Sequence, residues 1–240
     1  YDIQERSTNK IEWCIPKEDK KLQSELSKEL NISPILAQLL MNRGTKKVLN
    51  ARKFLKADLK DLRDPYIFQD MEKAVDKILE AVNNNERILI YGDYDVDGIT
   101  SVALLFLILK EFTNNLYYYI PNRFQEGYGL NEEAIDIAFK NNFKLIITVD
   151  CGISSIHEIE KANNYGIDII VTDHHQPQKD LPSATAIINP KCDKNYPFKE
   201  LAGVGVSFKM VQALYLKLKK NQEDLWNLLD YVALGSIADS

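Results

Sequence analysis

The chain has 240 residues and a formal charge of −5, with 45% hydrophobic and 27% charged residues, ordinary values for a globular domain with a smaller attachment. Its longest apolar run, Val102 to Leu109, is far too short to span a bilayer, and the polar N-terminus lacks the apolar stretch of a secretory signal. A membrane role is therefore not expected, and Cys14, Cys151 and Cys192, which form no C-x-x-C pair, suit a reducing compartment, the cytoplasm.

Residues 1–18 lack periodicity and read as an extended arm, with Trp13 placed to pin it to the body. From Lys20 to Asn85 the pattern is helical. Ser33-Pro34 reads as an N-cap followed by proline at the first helical position. Ile35, Leu36, Leu39 and Leu40 then form one apolar face, and Gly44 stands where a helix end favours φ > 0. Thr45 can cap a short helix carrying Val48, Leu49 and Leu55, and Asp70 a third with Met71, Ala74, Val75, Ile78 and Val82 at helical spacing. After Glu86 strands alternate with helices. Strands are expected over Arg87–Tyr91, Leu116–Ile120, Lys144–Val149, Asp168–Thr172 and Ala184–Ile188. Helices are expected over Ile99–Phe112, Glu132–Lys140 (capped by Asn131), Ser154–Tyr165, Ser207–Lys220 and Glu223–Ile237. Residues 1–85 thus read as an arm and small helical region, and 86–240 as an α/β domain with a parallel sheet of about five strands flanked by helices.

The acidic residues fall where these strands end. The first strand runs into Gly92-Asp93-Tyr94-Asp95-Val96-Asp97-Gly98, the third into Asp150-Cys151-Gly152, and the fourth into Asp173-His174-His175. An open parallel sheet binds ligands at the carboxyl ends of its strands. A lone Asp there is usually a helix cap, but three strands deliver hard ligands to one edge, including two of the three histidines in the chain. A calcium loop starting at Asp93 needs Glu at its twelfth position, which is Leu104, and that reading fails. Mixed Asp and His donors suit Mn²⁺ or Mg²⁺ better than structural zinc. Carboxylates converging from several loops commonly hold two ions, an arrangement suited to hydrolysing phosphate esters or anhydrides. Five carboxylates around two divalent cations would leave about one negative charge, so the net charge does not exclude a nucleic-acid partner. Cys151 reads as a small buried residue at a strand end rather than a nucleophile.

Asp95-x-Asp97, Asp150 and Asp173-His174-His175 resemble the signature motifs of the DHH phosphoesterase superfamily. Within it, NRG with the upstream ISPILAQLL, then YGDYDVDGITS, IPNRFQEGYGL, TVDCGISS, VTDHHQP, INPK, LAGVGVSFK and ALGSIAD are similar to RecJ-type exonucleases, over about Ile32 to Asp239. Tyr91 stands where the superfamily's phosphodiesterases and pyrophosphatases typically carry His, which favours the exonuclease branch.

The resemblance implies a DHH domain over 86–240 that holds two Mn²⁺ or Mg²⁺ ions. Asp95, Asp97, Asp150, His174 and Asp239 are its implied ligands, Asp150 bridging, with Asp93 a third-ligand or supporting candidate. Asp150 and Asp97 also count among the implied catalytic residues, as does His175, expected at the scissile phosphate. Arg123 is expected to hold a DNA phosphate, and the backbone at Gly203 and Gly205 to approach one.

The implied activity is hydrolysis of single-stranded DNA from its 5′ end in repair and recombination, with a single-stranded-DNA-binding protein and a helicase as partners. Direction rests on the resemblance alone. A phosphodiesterase for short oligonucleotides or cyclic dinucleotides is the alternative. A non-catalytic DNA-binding relative is the rival from another class, and the presence of every expected ligand speaks against it. The family's second domain and OB-like domain are not among the 240 residues, so weak, non-processive activity is expected of this stretch.

Overall fold

The computed structural model describes residues 19–239. The expected arm with Trp13, and Cys14, lie outside the described residues. Two compact units divide between Leu62 and Arg63.

In the first unit, α1 (Lys20–Leu30), α2 (Pro34–Asn42) and α3 (Val48–Leu55) close around Leu26, Ala37, Leu40, Met41 and Ala51. Ser33 caps α2 by accepting from the Leu36 N–H at 3.2 Å, Pro34 opens the helix, and Gly44 takes φ +80°. Two details differ from expectation. Lys47, not Thr45, stands at the N-cap of α3 and gives it no side-chain bond. Ile35 and Leu39 are 75% and 52% exposed, while Ala37, Leu40 and Met41 face inward. The run PILAQLL offers two overlapping apolar stripes, and the one carrying the small Ala37 lets α1 approach closely.

The second unit holds a five-stranded, wholly parallel sheet of order β2-β1-β3-β4-β5. Its strands are β1 (Arg87–Gly92), β2 (Leu116–Tyr119), β3 (Phe143–Val149), β4 (Asp168–Thr172) and β5 (Ala186–Ile188). The central strands are buried on both faces, hence their unbroken apolar runs. On one face Leu89, Tyr91, Ile146, Ile169 and Val171 pack under α6 (Glu132–Lys140) and α7 (Ile156–Asn164). On the other lie α4 (Met71–Asn83), α5 (Val96–Leu109) and α8 (Gly203–Lys217), with α9 (Leu229–Ala238) packed on α5 and α8.

The expected boundary at residue 86 is corrected by α4, which belongs with the sheet. It packs on β3, β5 and α8, and Asp70, rather than capping it, accepts from the Ile187 N–H of β5 at 3.0 Å. Helix α5 begins three residues before expectation because Asp95 caps it, accepting from the Gly98 N–H at 2.9 Å. Asp97 is thereby drawn into a helical first turn. Helix α8 begins at Gly203 rather than Ser207, and the last expected helix is a 3₁₀ segment (Gln222–Leu228) followed by α9. Strand order reverses between β1 and β3, and ligand crevices of open parallel sheets lie at that switch point.

Candidate metal centre

β1 delivers Asp93 and, through the first turn of α5, Asp95 and Asp97. The loop is tight: a Cβ on Gly98 would lie 2.5 Å from the Asp93 carbonyl oxygen. Asp97 is 2% exposed, and its carboxylate accepts from the N–H groups of Gly203 and Val204, both at 2.7 Å. The N-terminus of α8 thus grips a carboxylate of this chain, an anion in the place its dipole favours.

β3 ends at Asp150, which takes φ +61° while its N–H donates to the Thr172 carbonyl at 2.9 Å. A non-glycine residue in that region is strained unless its surroundings hold it. They do: Gly203 packs so closely that a Cβ there would fall 2.6 Å from Asp150 Oδ1.

β4 ends at Asp173, 1% exposed, which accepts from the Ile153 N–H at 2.9 Å, the His174 N–H at 2.7 Å and the His175 N–H at 3.0 Å. Its Oδ1 also lies 2.8 Å from His175 Nδ1, and the Tyr128 hydroxyl lies 2.9 Å from the same nitrogen.

These ends converge. His174 Nε2 lies 3.1 Å from Asp150 Oδ1 and 3.7 Å from Asp97 Oδ2, and its Nδ1 lies 3.7 Å from Oδ2 of Asp239, the C-cap of α9. Three sets of donors each fall within 4.8 Å: Asp93, Asp95 and Asp150; Asp97, His174 and Asp239; Asp150, His174 and His175. Asp150 and His174 are each shared between two sets.

Among the described residues no lysine or arginine forms an ion pair with any of these carboxylates. Burial, with Asp97 and Asp95 nearby, pushes the Asp150 carboxyl up to about 9. Burial also raises Asp97, against the pull of its two N–H donors, and Asp93. Asp173 goes the other way: burial opposes its ionisation, but the bonds from His175 and the backbone prevail and hold it low. His175 is raised, chiefly by its bond to Asp173.

The fit to divalent cations has a direct test in the unpaired atoms. Asp93 Oδ1, Asp150 Oδ1 and His174 Nε2 are buried without a hydrogen bond of good geometry, the last two meeting only each other at 3.1 Å. Such atoms are costly unless something of opposite charge meets them. Hard oxygens with one imidazole are the donor set of Mn²⁺ or Mg²⁺.

Fold and site together define an open parallel α/β protein with an acidic, histidine-bearing cation centre at its switch point. The chain belongs to the DHH family: the family's N-terminal domain matches residues 87–236. It is 43% identical over 96% of its length to the single-stranded-DNA-specific exonuclease RecJ of Bacillus subtilis (strain 168), and 41% identical over 87% to that of Escherichia coli (strain K12). It spans 29% and 37% of those two relatives. A crystal structure of RecJ in complex with Mn²⁺ from Thermus thermophilus superposes with a TM-score of 0.74 at 27% identity, covering 91% of this chain and 30% of that one. An exonuclease RecJ bound to manganese gives 0.67 at 32%, covering 72% of this chain and 43% of that one.

The structure brings Asp93, Asp95, Asp97, Asp150, His174, His175 and Asp239 to one edge. Arg123 is exposed, its guanidinium 5.3 Å from the Tyr94 ring. Gly203 needs correction: its N–H is taken by Asp97 and is not free for a phosphate. Gly205 packs against Leu201, where a Cβ would meet Cδ1 at 2.7 Å. Cys151 is fully buried with its thiol pushed far up by burial, as an inert residue should be. The sequence reading overlooked Tyr128 and the positioning role of Asp173. Tyr128 lies inside the quoted IPNRFQEGYGL, but nothing in that motif shows that its hydroxyl reaches a histidine 47 positions away. No helix of the described residues is long and apolar enough to cross a membrane.

Proposed function

We propose that this chain is the phosphodiester-cleaving part of a metal-dependent exonuclease acting on single-stranded DNA. The observation that carries the reading is the cluster of buried, unpaired acceptors at the switch point, shared between donor sets by Asp150 and His174. Asp93, Asp95 and Asp150 would hold one Mn²⁺ or Mg²⁺ ion, and Asp97, His174 and Asp239 a second, with Asp150 beside both. When bound, such a pair supplies an acidified water and the positive charge that phosphodiester hydrolysis needs.

The chain's own groups do the remaining work. Asp173 fixes a proton on His175 Nδ1 and raises the proton affinity of the ring. A second proton at Nε2 can then be donated to a phosphate oxygen as charge develops there. The Tyr128 hydroxyl stands against the same ring, 2.9 Å from Nδ1 and 3.3 Å from Nε2. Arg123, exposed on the loop after β2, would take a backbone phosphate by two parallel N–H bonds.

The names of the curated relatives support single-stranded DNA as substrate. The 5′→3′ direction, a place in repair and recombination, and a cytoplasmic setting belong to the same reading. So do a single-stranded-DNA-binding protein and a helicase as partners, which would supply and hold the strand. The test is incubation of single-stranded DNA labelled at either end with Mn²⁺ and the protein. Shortening from the 5′ end is expected, with none for Asp150→Ala. Cleavage retained by that variant, or confined to dinucleotides, would overturn the reading.

A further inference from the structure

Beside the acidic centre lies a cavity of about 430 Å³, lined by Tyr128, Leu130, Ser154, Ser155, Glu158 and Gln176 and reaching Asp173 and His175. The volume falls within the range of small-molecule sites, roughly 300–1,000 Å³. Ser155 is 8% exposed and lines it as the N-cap of α7, yet gives that nine-residue helix no side-chain hydrogen bond. A buried serine normally closes its own helix end. Here the hydroxyl is not tied to the helix, and its residue lines the cavity.

The wall also says what the ligand is not. Glu158 and Asp173 put two carboxylates on it, which repel a phosphate despite the nearby helix N-terminus. The remaining lining mixes hydroxyls that donate or accept, the Gln176 amide that does both, and the ring of Tyr128, whose hydroxyl is tied to His175. That combination suits a flat, neutral group edged with donors and acceptors. A nucleobase on its sugar has that chemistry, and aromatic side chains are its usual stacking partners.

We propose that this cavity is a nucleoside subsite, holding the base and sugar of the nucleotide whose phosphate meets His175. The proposal rests on the nuclease reading for the phosphate's position, but the base contacts are its own. Ser155, Glu158 and Gln176 grip the base edge, and Tyr128 packs on its face. The strand is then held by its end nucleotide at the place of cleavage, rather than by backbone contacts alone.

Calorimetric titration of the Mg²⁺-supplemented protein tests this with thymidine 5′-monophosphate and 2-deoxyribose 5-phosphate, in which a hydroxyl replaces the base. The nucleotide is expected to bind at least about tenfold more tightly, a gain in line with one base stacked and hydrogen-bonded. Ser155→Leu, which fills the cavity, should erase that difference and leave the sugar phosphate's affinity unchanged. Should Ser155→Leu fail to fold, as judged by its thermal melt, Glu158→Gln and Gln176→Ala replace it, each expected to weaken the nucleotide about threefold. Equal affinity for both probes in the wild type, or discrimination that survives these substitutions, overturns the subsite. A protein that discriminates the base but leaves single-stranded DNA intact with Mn²⁺ keeps the subsite and overturns the nuclease reading. One that cleaves without discriminating does the reverse.

Discussion

The two sides of the acidic edge follow opposite rules. At the end of β4, Asp173 is fully hydrogen-bonded, with three backbone N–H groups and the His175 ring around one carboxylate. At the ends of β1 and β3, Asp93 leaves a buried oxygen without a hydrogen bond, and Asp150 Oδ1 and His174 Nε2 face only each other, at 3.1 Å and without hydrogen-bond geometry. Both regions bury charge, but the first is finished by the chain and the second is not. A satisfied carboxylate fixes geometry, whereas an unsatisfied one destabilises the chain until a cation meets it.

That contrast breaks or stands on paired substitutions. Asp150→Asn should lower metal-dependent hydrolysis by at least about 10³-fold, the scale of losing a central electrostatic contact. The same change should stabilise the metal-free protein by about 2–4 kcal/mol, because a carboxyl that burial and its neighbours hold at about 9 no longer has to be accommodated near neutral pH. Mn²⁺ at a hundred times its dissociation constant should stabilise the wild type by about 2.7 kcal/mol and this variant by far less. Urea melts with and without Mn²⁺ read both effects. A metal-free Asp150→Asn that is less stable than the wild type would mean the site is already satisfied.

Asp173→Asn should behave in the opposite way. Losing charged acceptance of three N–H groups is expected to cost about 2–4 kcal/mol. The proton on His175 Nδ1 is no longer fixed, so hydrolysis should fall about 10²-fold or more. Stabilisation by Mn²⁺ should persist, since Asp173 belongs to none of the three donor sets. If Asp173→Asn instead abolishes that stabilisation, the residue is a ligand and the two sides are one.

Much of this edge was legible in the sequence because it obeys a rule of topology. Apolar runs set the strands, and in a parallel sheet whatever follows them shares an edge, so Asp93, Asp150 and Asp173 met where their strands ended. What stayed hidden depends on contacts far apart in the chain. Asp97 meets the backbone of Gly203 and Val204 across 106 and 107 positions, and no local pattern announces a carboxylate as the occupant of a helix N-terminus. The boundary at 86 was misplaced for a similar reason. The periodicity of α4 reports an amphipathic helix but not which unit covers it, and Asp70, which looks like a cap, proves to be a tie to β5.

The glycines at the start of α8 sharpen the comparison on a smaller scale. Gly203→Ala sets a Cβ 2.6 Å from Asp150 Oδ1 and 2.8 Å from its Cβ. Both lie on a residue already in a strained backbone region, so a loss of about 2–3 kcal/mol is expected, with weaker Mn²⁺ stabilisation. Gly205→Ala meets only Leu201 Cδ1 at 2.7 Å and Cγ at 2.8 Å. That flexible side chain can turn aside, and alanine's helix propensity returns about 1 kcal/mol. A near-neutral melt with undisturbed Mn²⁺ binding is expected. Equal damage from both would place α8 in a purely structural role.

The smallest effect lies away from the acidic edge and serves as its control. Lys209 in α8 is 4% exposed, donates to the Arg63 carbonyl and to Gln212 Oε1, and is lowered by burial to about 8. Its folded value lies below the ordinary lysine value of 10.5, so between pH 8 and 10.5 the unfolded chain binds more protons and stability rises with pH. One such group gives at most about 1.4 kcal/mol per pH unit. Other groups oppose it: burial and its neighbours hold Asp150 up to about 9 in the metal-free protein, and burial raises Cys192 to about 11 and Tyr119 to about 12, so each favours the unfolded chain as pH rises through this range. The lysine is therefore read as a difference between two proteins. Urea melts of metal-free wild type and Lys209→Met from pH 8 to 10 should show the wild type gaining stability relative to the variant, by at most about 1.4 kcal/mol per pH unit. A constant difference across that range would leave Lys209 charged throughout.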